Sequence, residues 1–220
     1  MNPRQGSLKK IILPLILLSV LALPASPAEL SRIEFQYELR RIGVDASDLE
    51  ESVEAVWTHA LGVRFPLKLG AGSLQLVPGV SFTTLYYFYD EQWSRAVPTD
   101  VEWRELTALV PLLDTSLRWR VMDWEKVDLS VESGLGVELP IPVKSWERTD
   151  SSGEILPSLY SKLRFIRPIV ALQADMPLME QLSIFFRLSA HFPISSIFED
   201  ADVGIMDGFI IGLSSGFWFR

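Results

Sequence analysis

The chain has 220 residues, of which 48% are hydrophobic, and its 28 acidic and 20 basic side chains give a formal net charge of −8. An acidic chain lacks the basic surface needed to bind a phosphate backbone, which argues against a nucleic-acid partner. It contains no cysteine, so disulfide bonds and lipidation at a signal-peptide cysteine are excluded.

The first 28 residues have the layout of a secretory signal peptide. Three basic residues precede the apolar run 11–23, and the small residues Ser26 and Ala28 follow it. A retained membrane anchor is the alternative, but the run is short for a spanning helix, which needs about 20 apolar residues. We expect cleavage after Ala28. The remaining chain, residues 29–220, would be one domain with a net charge of −11, because the leader carries three basic and no acidic residues.

The first strand is predicted from an unbroken alternation of apolar and polar residues at 33–40. A period of two places alternate side chains on opposite faces of a strand, so one face is apolar and the other polar. The apolar residues are Ile33, Phe35, Tyr37 and Leu39, and the polar residues are Glu34, Gln36, Glu38 and Arg40.

The second and third strands are predicted at 57–69 and 74–89, on either side of a short turn at 70–73. In the second strand Arg64 and Lys68 share the polar face, and a helical pattern competes just before Trp57, where we expect a short helical turn. Both strands are longer than the typical soluble strand of about 5 to 6 residues.

The fourth strand, 103–121, changes parity, because its first apolar residues are even-numbered and its last ones odd-numbered. This predicts a β-bulge near 111–114. The fifth strand, 127–141, alternates regularly and places Asp128, Glu132 and Glu138 on its polar face. It is long enough to cross a bilayer, for which a tilted strand needs about 9 to 11 residues.

Three more strands are predicted at 159–176, 182–194 and 208–219, which makes eight. Short turns near 70–73, 122–125 and 177–181 alternate with longer acidic loops near 43–55, 90–102, 144–158 and 197–207. Such alternation is typical of transmembrane barrels, in which short periplasmic turns alternate with long external loops. Tryptophans and tyrosines at both ends of the strands predict two aromatic girdles, which we assign to Trp57, Trp103 and 86–89 at one end and to Trp119, Trp124 and Trp218 at the other.

The last residues resemble the closing strand of bacterial outer-membrane β-barrels, in which a glycine and an aromatic-x-aromatic pair at the chain end form an assembly signal. The matching residues are Gly212, Gly216, Phe217 and Phe219, and Arg220 follows where an aromatic residue usually ends the chain. This resemblance implies that the barrel-assembly machinery is a partner.

The whole mature chain resembles the small eight-stranded barrels of the bacterial outer membrane, the class of the OmpA transmembrane domain, OmpX and OmpW. The resemblance is carried by 106–121 followed by 129–139, with Val110-Pro111-Leu112-Leu113 and Gly134-Leu135-Gly136. It implies an all-β fold, an eight-stranded antiparallel transmembrane β-barrel with up-and-down meander order, in the bacterial cell outer membrane and in contact with its lipid.

A barrel of eight strands is just wide enough to be filled by side chains. The inward positions predict a charge network in the barrel lumen, which comprises Glu34, Glu38, Arg40, Arg64, Lys68, Arg118, Arg120, Asp128, Glu132, Glu138, Arg187 and His191. Buried charges need partners, so the network is interpreted as a paired plug in a structural barrel. The alternative, implied by the OmpW resemblance, is a narrow conduit for small or hydrophobic solutes.

Two other functions remain open. The acidic loops could serve a surface-exposed adhesin or antigen that binds host surface molecules. An outer-membrane lipid A acyl hydrolase is the other candidate, because His191 to Ser196 resembles the histidine-x-serine-asparagine stretch of the lipid A deacylases. The serine position there is occupied by Pro193, and His191 and Ser195 lie about 13 Å apart along a strand. We therefore expect no enzymatic activity, no cofactor and no metal, including at the half calcium motif Asp200-x-Asp202-x-Gly204.

Overall fold

The computed structural model describes residues 29–44, 55–70, 72–90, 95–99, 106–145, 152–194 and 208–219. The signal peptide predicted at 1–28, the helical turn predicted before Trp57 and the half calcium motif lie outside these residues.

The described residues form twelve β-strands, one α-helix and one turn of 3-10 helix at Ser161–Leu163. The strands are β1 (Glu29–Leu30), β2 (Ile33–Gly43), β3 (Ala55–Arg64), β4 (Leu67–Lys68), β5 (Leu74–Asp90), β6 (Arg95–Thr99), β7 (Leu106–Trp124), β8 (Val127–Glu138), β9 (Ile141–Ser145), β10 (Ile166–Pro177), β11 (Leu182–His191) and β12 (Ile210–Phe219). The helix α1 spans Ser152–Tyr160.

Eight long strands form a closed antiparallel barrel in meander order. Each of β2, β3, β5, β7, β8, β10, β11 and β12 pairs with the next, and β12 pairs with β2 to close the ring. The seam runs from Ile210↔Ile42 to Phe219↔Ile33 without a register shift. The predicted fold class is therefore confirmed. The four short strands extend or flank this ring.

Alternation sorts the side chains between the lumen and the exterior as predicted in the first and last strands. In β2, Glu34 and Glu38 are buried, whereas Tyr37 is 44% exposed. In β12, Ser214 is buried and Leu213 is 58% exposed. Large apolar side chains therefore form a belt around the outside of the barrel. Polar side chains fill the lower lumen, which is the part of the barrel interior nearer the short turns.

The predicted parity change and bulge in the fourth strand are wrong. Leu106 and Val110 at the start of β7 and Arg118 near its end all face inward, on one unbroken face. The register shifts of β7 lie elsewhere, between Thr107 and Ala108 and between Arg120 and Met122. Apolar residues face inward at one end of this strand because the lumen itself is apolar there.

That apolar region fills the end of the barrel where the long loops emerge, here called the long-loop end; the opposite end is the short-turn end. Its buried members are Ile42, Val44, Val56, Leu85, Tyr87, Val97, Leu106, Ala108, Val110, Ile155 and Ile210. Ile155 belongs to α1, which packs against β5 and β6. The long-loop end therefore has a hydrophobic core of its own.

The sixth strand begins later than predicted, at Ile166 rather than at residue 159. Residues 152–163 instead form α1 and the short 3-10 turn. Within α1 the Ser158 hydroxyl accepts a hydrogen bond from the Ala96 backbone N–H at 2.8 Å, which fixes the helix to β6. Among the described residues, no helix is long and apolar enough to cross a membrane.

Tryptophan placement agrees with the two predicted girdles at three positions and disagrees at one. Trp57 is exposed at the long-loop end, and Trp119 and Trp124 are exposed at the short-turn end. Trp218 is instead 6% exposed and points into the lumen, because it shares the parity of Ser214. Trp103 lies outside the described residues.

Candidate functional site

The lower lumen is filled by a set of buried ion pairs, which we call the lumen network. Five arginines and five carboxylates form it, brought together from six of the eight barrel strands and from the residue before β2. They are Arg32, Arg40, Arg64, Arg118 and Arg187 with Glu34, Glu38, Asp114, Glu132 and Asp175. Opposite charges are equal in number, so the network is formally neutral.

Glu132 on β8 is the hub of this network. Its Oε1 accepts hydrogen bonds from Arg118 Nε at 2.7 Å and Arg64 Nη1 at 3.1 Å. Its Oε2 accepts from Arg64 Nη2 at 2.8 Å and Arg187 Nε at 3.0 Å. One carboxylate thus ties together guanidinium groups from β3, β7 and β11 across the lumen.

Glu34 extends the network toward the short-turn end. Arg118 binds it with both terminal nitrogens, Nη1 to Oε1 at 2.6 Å and Nη2 to Oε2 at 2.8 Å. Arg32 donates from Nε to Glu34 Oε1 at 2.8 Å and reaches Asp175 Oδ1 at 3.1 Å. Asp175 also accepts from Trp218 Nε1 at 3.0 Å, so the inward indole is held by this carboxylate.

Glu38 extends it toward the long-loop end. The carboxylate accepts from Arg40 Nε at 2.8 Å and from the Ser189 hydroxyl at 2.9 Å. Arg40 Nη2 donates to the Ser81 hydroxyl at 2.7 Å. Polar partners from β2, β5 and β11 therefore surround this pair just below the apolar core.

The energetic role of the network follows from its burial. Each ion lost several kcal/mol of hydration when it was buried, and only its partners offset that loss. Bidentate contacts such as Arg118 with Glu34 are the strong form of this interaction. Removal of one partner would therefore leave an uncompensated buried charge, and the paired side chains fill the lower lumen.

The structure excludes three of the predicted members from the network. Lys68 is exposed on β4, and the side chains of Arg120 and Asp128 are 45% and 42% exposed. Arg120 has the inward parity, but β5 ends its pairing with β7 at Trp119, so the last residues of β7 extend beyond the barrel wall. At this rim Arg120 Nη1 lies 3.4 Å from Asp123 Oδ2 and 3.8 Å from Asp128 Oδ2.

Glu138 is buried but belongs to a separate pair at the long-loop end. It accepts a hydrogen bond from Arg167 Nε, and Arg167 Nη1 donates to the backbone oxygen of Gly208 at 2.6 Å. This pair joins β8 and β10 to Gly208, two residues before β12, and it lies beside the apolar core.

Four members of the site were missed from the sequence: Arg32, Asp114, Gln173 and Asp175. Gln173 accepts from Arg118 Nη2 at 3.1 Å and donates to Asp175, so it links two parts of the network. Parity could have found these residues. Gln173 and Asp175 alternate with the outward Leu172, and Arg32 and Asp114 have the parity of their inward neighbours.

His191 is buried in the lumen and does not form a nucleophilic arrangement. Its Nε2 lies 3.2 Å from the Ser189 hydroxyl, but that hydroxyl donates its proton to Glu38. A nucleophilic serine instead needs its proton directed at the histidine. Ser195, the other candidate, lies outside the described residues. In the described part of the chain, no cluster of three or more histidine or acidic side chains could hold a metal ion.

The residues assigned to the assembly signal have clear positions at the seam. Phe217 and Phe219 face outward, with ring centroids 5.6 Å apart, and Phe217 stacks on Phe35 of β2 at 5.5 Å. Gly212 and Gly216 face inward. A Cβ at Gly212 would overlap the Glu38 carboxylate, and one at Gly216 would overlap the Phe185 ring. The two glycines thus make room for lumen side chains.

Comparison with known proteins supports the fold. No protein-family model and no curated protein matches this chain. Among solved structures, neisserial surface protein A has a TM-score of 0.52 at 5% identity, covering 89% of this chain and 99% of that one. Ail, the attachment invasion locus protein of Yersinia pestis, has a TM-score of 0.41 at 10% identity, covering 86% of this chain and 95% of that one. The first likeness shows a shared barrel fold.

Proposed function

We propose that the protein is an integral β-barrel of the bacterial outer membrane whose lumen is closed and which acts through its long-loop end. The exterior supports the membrane location. Outward apolar side chains such as Leu188 and Leu213 would be unfavourable in water, and they surround a closed ring of eight paired strands. Exposed tryptophans at both ends of the belt suit the two membrane interfaces.

The single observation that carries the closed lumen is that every charge of the lumen network lies within 3.8 Å of an opposite charge. Its five arginines and five carboxylates are matched, and Glu132 alone is bound by three arginines from three strands. Above it, the apolar core with Ile155 of α1 fills the long-loop end. A water-filled path would have to cross both layers.

A narrow conduit for small or hydrophobic solutes is the second candidate. One observation favours it: a cavity of about 80 Å³ lies at the long-loop end, between apolar side chains such as Tyr87 and Leu159 and the pair of Glu138 and Arg167. A solute entering there would meet the lumen network below. Passage would therefore require α1 or part of the barrel wall to move.

Conductance in planar bilayers separates the two functions. We expect the wild-type protein to insert without discrete conductance, because its lumen is filled. Arg118→Ala should open small discrete channels, since it removes the bidentate partner of Glu34 and one of the three arginines on Glu132. Arg120→Ala is the matched control. Arg120 lies on the exposed rim, so this variant should show no discrete conductance. Discrete conductance of the wild-type protein would contradict a closed lumen.

The surface-interaction role depends on the acidic loops, which lie largely outside the described residues. In the described part of the long-loop end, a side-chain contact connects segments that lead into these loops. The Tyr89 hydroxyl donates to Glu154 at 2.8 Å, which joins the β5 and β6 hairpin to α1. Binding of whole cells to host-cell glycans, compared with cells carrying a chain shortened at 197–207, tests this role directly.

A further inference from the structure

The exterior of the barrel carries a furrow of about 700 Å³ that crosses five neighbouring strands, β5, β3, β2, β12 and β11. Its walls are two rows of outward side chains, which include Phe35, Leu61, Val63, Phe82, Phe186 and Phe217. At about 4.8 Å between strands, the furrow is roughly 19 Å long. Its volume is that of a site for one small-molecule ligand, about 300 to 1,000 Å³.

A polar pair borders this apolar furrow on the side of the long-loop end. The Tyr37 hydroxyl lies 2.5 Å from His59 Nδ1, and the two rings stack with centroids 5.8 Å apart. In the tautomer that lets the Tyr37 hydroxyl donate to Nδ1, the ring proton of His59 is on Nε2. Both side chains face outward, which leaves this Nε2–H as a donor on the membrane side of the barrel.

A cation lies beyond the polar pair. Arg41 faces outward on β2, four residues from Tyr37 or about 13 Å along the strand, between Ile211 and Trp57 on the neighbouring strands. Its side chain is exposed, and it has no carboxylate partner among any of the residues that the structure describes. Going toward the long-loop end, this surface is apolar, then hydrogen-bonding, then positively charged.

We propose that this surface binds one anionic glycerophospholipid, with an acyl chain in the furrow, an ester oxygen on His59 Nε2–H and the phosphate on Arg41. The order of groups on the protein is the order of groups in such a lipid. A second copy of the chain fits less well, because exposed carboxylates of the described strands such as Asp123 and Asp128 lie at the short-turn rim and already face Arg120. The inference rests on the membrane location proposed above.

Native mass spectrometry of the protein in equal amounts of phosphatidylglycerol and phosphatidylcholine with identical acyl chains tests the site. We expect one phosphatidylglycerol to be retained in preference to phosphatidylcholine. Arg41→Gln should reduce this preference about fivefold, the usual contribution of one basic residue near an anionic lipid surface. His59→Phe should weaken retention of both lipids, because it removes the donor to the ester.

A second variant keeps the test independent of charge. Leu61→Trp should fill the furrow and remove retention of both lipids, whereas Arg120→Gln, at the opposite rim, should leave retention unchanged. Equal retention of the two lipids, or equal effects of Arg41→Gln and Arg120→Gln, would overturn the site. A dimer that disappears in Leu61→Trp would show a second copy in the furrow and would also overturn it.

The two proposals fail in different ways. A wild-type protein that does not insert into lipid vesicles contradicts the membrane location and the lipid site with it. A protein that inserts but shows no lipid preference contradicts the lipid site alone.

Discussion

The guanidinium carbon of Arg32 lies 4.4 Å from the centre of the Trp218 ring, so the residue before the first barrel strand packs on the end of the last one. Asp175 completes the contact, because it accepts hydrogen bonds from both residues. The barrel is therefore fastened at its seam by side chains as well as by the backbone ladder of β2 and β12.

Removing the contacts that Arg32 makes with Trp218 and Asp175 should destabilise the seam between β2 and β12. We expect Arg32→Ala to lower the free energy of unfolding by about 1 to 3 kcal/mol, because it removes a cation–π contact and charge-assisted hydrogen bonds. Urea-induced unfolding in lipid vesicles, followed by tryptophan fluorescence, measures the change. Lys68→Ala is the control at the same end, since its side chain is exposed, and an equal loss in both variants would contradict the role of Arg32.

The hub of the lumen network should be far more sensitive. Glu132→Ala leaves Arg64, Arg118 and Arg187 without their shared carboxylate, and breaking a buried pair from one side costs about 3 to 5 kcal/mol. We expect a large fall in the urea midpoint or failure to refold.

Asp128→Ala is the matched control for this variant, as it removes an exposed carboxylate from the same strand. Its effect should stay within about 0.5 kcal/mol, as for other surface substitutions. Comparable losses for Glu132→Ala and Asp128→Ala would show that burial of the hub contributes little.

A side chain at Gly212 should destabilise the barrel. A Cβ there would overlap the Glu38 carboxylate and come within 2.5 Å of the Ser189 hydroxyl oxygen. We expect Gly212→Ala to reduce stability by about 1 to 3 kcal/mol, as overpacking does. Gly72→Ala is the control, because a Cβ at Gly72 would meet no atom within 4 Å. Thermal loss of the heat-modifiable gel band compares the two variants.

The outward aromatic residues at the chain end should matter more for assembly in cells than for the fold. The double variant Phe217→Ala, Phe219→Ala removes no lumen contact, so it should refold in detergent yet fail to reach the outer membrane. Membrane fractionation after expression in cells gives the readout. Leu213→Ala on the same face should assemble normally. Normal insertion of the double variant would contradict the assembly-signal interpretation.

The sequence predicted most of the fold because alternation in β2, β8, β11 and β12 is regular and every described short turn joins adjacent strands. It predicted the wrong side for the start of β7, since parity tells which residues share a face but not which face is inside. Leu106 and Val110 look like lipid-facing residues, yet they face inward into the apolar core. No local pattern reveals such a core, because α1 and residues from six strands create it.

The candidate site was predicted in part for a similar reason. Glu34, Glu38, Arg64, Arg118, Glu132 and Arg187 were placed inward by parity alone, and the structure brings them together. Parity does not reveal where the barrel wall ends, so Lys68, Arg120 and Asp128 were assigned to the lumen although they lie at the rim. Which charge binds which depends on the shear of the barrel, a property of all eight strands at once.

Glu132 joins arginines from three strands, and this has a consequence for how the barrel closes. Side chains alternate along a strand, so a slip of one residue between β12 and β2 would turn Glu34 and Glu38 toward lipid and leave their arginines unpaired. A slip of two residues would keep them inside but would separate donors from acceptors that now lie 2.6 to 3.1 Å apart. The lumen charges thus stabilise the correct register between β12 and β2 relative to registers that are shifted by one or two residues.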